Sequence, residues 1–98
     1  MGAQHDFAYI VPTDSIRTSI DEVEALMNDD EVLGDDLNFE INEAGETVEI
    51  SFSFYSSYAH LNEVERRMKD LLKKVVEPGT EIQNNYEVTS IETETFVI

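Results

Sequence analysis

Cysteine is missing from this chain, and with it go a disulfide framework, a thiol nucleophile and any cysteine-ligated metal centre. Glycine occurs only four times and proline twice. No Gly-rich phosphate cradle follows the first apolar run, and no serine sits in a G-x-S-x-G elbow. No stretch approaches the roughly 20 apolar residues that a membrane-spanning helix needs. Met1 to Ile10 has neither the basic region nor the apolar core of a signal peptide. The expectation is a soluble cytoplasmic protein. Histidine is limited to His5, in an N-terminal segment expected to be mobile, and His60, at the start of a helix. Neither a base nor a nucleophile is specified, so the chain reads as a non-enzyme with no cofactor and no metal.

Basic residues are few and unevenly placed. There are six, and Arg66, Arg67, Lys69, Lys73 and Lys74 crowd between Tyr58 and Glu77, leaving only Arg17 elsewhere. Against them stand 22 acidic side chains, for a net charge of −16 on 98 residues. Twelve acidic residues and no basic one lie between Asp21 and Glu49. Such a field favours cationic partners and repels nucleic acid and anionic membrane. Yet 41% of the residues are hydrophobic and nine are aromatic, which a disordered acidic tail would lack. One folded domain over residues 1–98 is expected.

The apolar periodicity supplies its elements. Phe7 to Val11 is a short run closed by Pro12 and suits a strand. Ile16, Ile20, Val23 and Met27 recur at helical spacing, and Ser19 with Glu22 reads as a capping box that would start the helix, although Asp14 or Ser15 could start it earlier. From Leu37 the period becomes two: Leu37, Phe39 and Ile41, then Val48, Ile50, Phe52 and Phe54, predict a hairpin turning through Asn42-Glu43-Ala44-Gly45. Leu61, Val64, Met68, Leu71, Leu72 and Val75 mark a second helix, stopped by Pro78-Gly79. Tyr86 to Ile98 reads as a final strand with a bulge or break near Ser90. The order predicts a two-layer α+β sandwich, the βαββαβ ferredoxin-like arrangement with a four-stranded antiparallel sheet.

One acidic segment mimics a calcium loop: Asp29, Glu31, Gly34, Asp35 and Glu40 fall at positions 1, 3, 6, 7 and 12 of an EF-hand register. Leu33 stands where an oxygen ligand is required, and strand-like Leu37 to Ile41 occupies the place of the exiting helix. The acidic residues point instead to a protein partner. Alternate residues of a strand are about 6.6 Å apart, comparable to successive phosphates on one DNA strand. Glu92 and Glu94 have that spacing, and Glu40 and Glu49 are expected on the open face of the hairpin. Asp21, Glu22, Glu24, Asp29, Asp30, Glu31, Asp35 and Asp36 would form a rim. Tyr55 and Tyr58, at the hairpin-to-helix junction, suit either packing or an interface.

In size, charge and lack of a catalytic motif the chain resembles the small acidic DNA-mimic proteins with which phages block host DNA-binding proteins. The resemblance implies a function class and carries over no residues. It implies an inhibitor, acting in the host cytoplasm, that occupies the basic groove of a restriction enzyme, a CRISPR effector, a polymerase or a nucleoid protein such as HU. No direct binding to nucleic acid is expected. An immunity or antitoxin-type protein and a domain adapted to high salt are the alternatives. A homodimer is also expected, because Phe96-Val97-Ile98 would leave an apolar strand end unpaired.

Overall fold

The computed structural model describes residues 3–34, 38–56, 58–87 and 90–98. The elements in chain order are β1 (Ala3–Pro12), a 3-10 turn (Thr13–Ser15), α1 (Ile20–Asp29), β2 (Asn38–Ala44), β3 (Thr47–Ser56), α2 (Tyr58–Val75), β4 (Glu81–Glu87) and β5 (Ile91–Val97). The strands make one antiparallel sheet in the order β2-β3-β1-β4-β5.

The expected four-stranded ferredoxin-like βαββαβ arrangement is therefore incorrect: the sheet has five strands and the element pattern is βαββαββ. The segment read as one interrupted strand splits in two. β4 starts at Glu81, earlier than its apolar pattern announces, and β5 returns along it with Ile82 opposite Phe96 and Glu87 opposite Ile91. Polar Asn84 occupies an inward position in β4, which hides the alternation.

One face of the sheet carries the core. His5, Phe7, Tyr9 and Val11 of β1 and Val48, Ile50, Phe52 and Phe54 of β3 are buried, together with Val23 and Met27 of α1 and Val64, Met68 and Leu72 of α2. Burying one such side chain contributes about 1.5–3 kcal/mol, so this layer dominates the stability. His5 belongs to it rather than to a mobile terminus. Its ring stacks on Tyr86 at 5.9 Å, and its Nδ1 shares a 2.8 Å hydrogen bond with the Tyr86 hydroxyl. Among the described residues no helix is long and apolar enough to cross a membrane.

Local chemistry sets the boundaries. The Ser19 Oγ accepts the Glu22 N–H at 3.2 Å and starts α1. The hairpin turns on two residues, Gly45 and Glu46, so its centre lies two residues later than the sequence predicts. Gly45 has φ +73 while, among the described residues, no non-glycine residue has positive φ, the signature of a type II′ turn with glycine first. Gly34 is required for another reason: a Cβ there would lie 2.3 Å from the Asn28 carbonyl oxygen. The Arg17 guanidinium donates to the Lys74 carbonyl at 2.9 Å, and the Arg17 N–H donates to the Val75 carbonyl at 2.8 Å. The approach to α1 is thereby tied to the end of α2.

Candidate functional site: the open face of the sheet

Strand alternation decides which charges share a surface. With Phe7, Tyr9, Phe52 and Ile82 inward, the opposite face receives Asp6, Ala8 and Ile10 from β1, Glu40 and Asn42 from β2, and Glu49, Ser51, Ser53 and Tyr55 from β3. β4 adds Glu81, Gln83, Asn85 and Glu87, and β5 adds Ile91, Thr93, Thr95 and Val97. Neither helix covers this face. Among the described residues it bears five carboxylates and no basic side chain, since the six cations lie on α2 and at Arg17.

The register brings like charges together. Asp6 stands directly opposite Glu87, and Glu49 pairs with Asn42 while Glu40 pairs with Ser51, so Glu40 and Glu49 are diagonal neighbours. Facing positions have Cβ atoms about 4.5–5.5 Å apart and diagonal ones about 7–8 Å, and like charges directly opposite destabilise a sheet. A shallow trough of about 530 Å³ runs across the middle of the face, lined among others by Asp6, Glu40, Ser51, Asn85, Glu87 and Ile91. Its polar lining is ordered from within. Gln4 donates to the Ser53 hydroxyl at 2.7 Å, and Gln83 and Thr93 both donate to the Asn85 Oδ1 at 3.0 Å. Tyr55, Ile91 and Val97, each 65–70% exposed, project from the same face.

The other acidic residues singled out by sequence are scattered over different surfaces. Asp21 and Glu22 are exposed in the first turn of α1, where negative charge favours the helix dipole, and Glu24 is exposed one turn along. Asp29 and Glu31 are exposed at the far end of α1. Asp30 is not free: its Oδ1 accepts the N–H groups of Val32 and Leu33 at 2.8 and 3.0 Å, and Arg67 Nη1 approaches both its oxygens at 3.3 Å. Partial burial works to raise the Asp30 pKa, but those two N–H groups and Arg67 outweigh it and hold the carboxyl below the usual carboxylate range. Asp35 and Asp36 lie outside the described residues.

Glu92 and Glu94 face the helix side of the sheet, across from Tyr86 and Asn84, and so do not join Glu40 and Glu49. Glu94 instead approaches the edge of the core. Burial, and then the charges of Glu65 and Glu94, push the Tyr9 hydroxyl far above its usual pKa. Glu65 is itself raised, first by burial, with Lys69 opposing and Glu94 reinforcing. The α2 cations are largely engaged. Arg66 pairs with Glu63 at 2.7 Å, Arg67 with Glu63 at 2.9 Å, and Lys69 lies 4.9 Å above the Phe96 ring.

Sequence reasoning missed Asp6, Glu81 and Glu87. Asp6 was one position short of the recognised alternation, whereas the strand around Glu81 and Glu87 carries too few apolar residues to announce itself. Among the described residues no three His, Asp or Glu side chains converge to hold a metal ion. No protein-family model, curated protein or solved structure matches the chain.

Proposed function

We propose that the protein is a non-enzymatic inhibitor that occupies the basic DNA-binding surface of a nucleic-acid-binding protein in the cytoplasm, in competition with DNA. The observation that carries this reading is the segregation of charge. Five carboxylates share an uncovered sheet face with no cation among them, while the cations sit on α2 and at Arg17 and are largely spent on internal contacts. A surface whose carboxylates were neutralised by neighbouring lysines and arginines would not imitate a phosphate backbone. This one retains its field, and many phosphate-like contacts give strong salt dependence.

Competition gel shifts test the proposal, using labelled duplex DNA with a panel that includes the nucleoid protein HU, a restriction endonuclease and a CRISPR effector. Free DNA is expected to be released as this protein is added, from at least one target, with no binding of the protein to DNA alone. A stable complex of target, DNA and this protein would exclude mimicry. Tight capture of a basic toxin without DNA displacement would identify an immunity protein instead.

A further inference from the structure

We infer that the open sheet face is the docking surface and that its occupant is an arginine-bearing segment of the partner, received between Asp6 and Glu87. This rests on the reading of the chain as an antagonist of a basic DNA-binding protein, and it specifies which surface acts and which cation it selects. The sheet face is unpartnered: neither helix covers it, and Tyr55, Ile91 and Val97 stand 70%, 70% and 65% exposed on it. In charge it is the complement of a cationic element.

The arrangement of the Asp6–Glu87 pair selects arginine over lysine. Asp6 and Glu87 are direct cross-strand partners on β1 and β4, a like-charge pairing that disfavours a sheet, and the Asp6 Oδ1 accepts only a long 3.4 Å hydrogen bond from Gln4 Nε2. A guanidinium carries five N–H donors in a planar fork, enough to engage two carboxylates at once, whereas an ammonium is a compact and strongly hydrated point charge. Ile91 lies opposite Glu87 on the far side of the same row, and Tyr55 lies opposite Gln4, two residues before Asp6. Apolar and aromatic surface is therefore available on both sides for the arginine stem and plane. Five strands at about 4.8 Å span roughly 19 Å, wide enough for a helix of about 10–12 Å or a two-stranded ribbon, the elements with which proteins enter the major groove.

The experiment compares the full-length protein with Asp6→Asn/Glu87→Gln and with a charge-matched control at the hairpin tip, Glu43→Gln/Glu46→Gln. Oligoarginine and oligolysine peptides of equal length are titrated calorimetrically at low ionic strength, and amide shifts are followed by NMR. The wild type and the control are expected to prefer oligoarginine, with shifts centred on Asp6, Ala8, Ser51, Asn85 and Ile91. The Asp6/Glu87 variant should lose about tenfold in oligoarginine affinity, and the control less than about threefold. It should melt no lower than wild type, because a facing like-charge pair is removed. Equal losses in the two variants, equal affinity for the two peptides, or shifts centred on α1 would overturn the docking site.

DNA displacement from the target, measured with the same three proteins, separates the two levels. Displacement by wild type and by the Asp6/Glu87 variant alike leaves the inhibitor function standing and overturns this face. Absence of displacement by wild type overturns the inhibitor function, while the peptide titrations still decide the arginine site.

Discussion

Asp30 joins the acidic loop to α2, and its two jobs can be separated. Asp30→Ala removes both the acceptor for Val32 and Leu33 and the charge beside Arg67, with an expected loss of about 1–2 kcal/mol. Asp30→Asn keeps an acceptor oxygen and should lose less. In a domain of this size each kcal/mol moves the melting temperature by roughly 4–8 °C, so calorimetry resolves the pair. The pH dependence has a definite sign. The folded-state pKa of Asp30 lies below the ordinary value of 3.8, so its contribution is complete above that value and is lost as pH falls through the folded-state pKa. Glu65 has the opposite sign: its raised pKa contributes stability that is full below the ordinary value of 4.5 and lost as pH rises through the folded-state pKa. Glu65→Gln should therefore abolish that loss, so that stability falls less as pH rises above 4.5 and is higher at neutral pH. Identical pH profiles for Glu65→Gln and wild type would show that Glu65 is solvated like any surface glutamate. A third change probes the core: the Tyr9 hydroxyl is buried with no hydrogen-bond partner among the described residues, so Tyr9→Phe should melt at or above the wild-type temperature.

At the scale of elements, legibility in the sequence followed the apolar alternation. The β2–β3 hairpin and both helices were readable because Phe39, Ile41, Val48, Ile50, Phe52 and the α2 stripe repeat at the right period. β4 was not, because its inward positions are Ile82, Asn84 and Tyr86, and a buried asparagine breaks the pattern. The role of His5 was equally hidden: its partner Tyr86 lies 81 residues away, so no local window contains both. The same omission concealed much of the candidate site, since Glu87 faces Asp6 only once β4 exists. The apolar end of the chain also changes meaning. Phe96 meets Tyr9 ring to ring at 6.1 Å, and Ile98 exchanges backbone hydrogen bonds with Gly79 and Thr80. Truncation after Glu94 should therefore lower stability outright, not merely shift association. On β5, an edge strand, Glu92 and Glu94 point toward the helix side, a placement that discourages edge-to-edge pairing.

For the molecule as a whole, a net charge of −16 makes salt a variable with opposite effects on different equilibria. Self-repulsion opposes the compact state, and the screening length falls from about 10 Å at 0.1 M to about 3 Å at 1 M. The melting temperature should rise with added salt, whereas the proposed target binding, if it rests on many charge contacts, should weaken over the same range. Pairing of two copies through the β5 edge would follow stability rather than binding. At low salt Glu92 and Glu94 hold two such edges apart, and screening removes that barrier so that a twofold dimer can close. Sedimentation velocity across a salt series should therefore move from monomer towards dimer. Glu92→Thr/Glu94→Thr, which removes both charges and introduces strand-favouring residues, should dimerise already at low salt. Monomers at every salt concentration in both proteins would remove edge pairing, and a wild-type dimer that dissociates as salt is added would mean that charge contacts, rather than strand edges, hold the copies together.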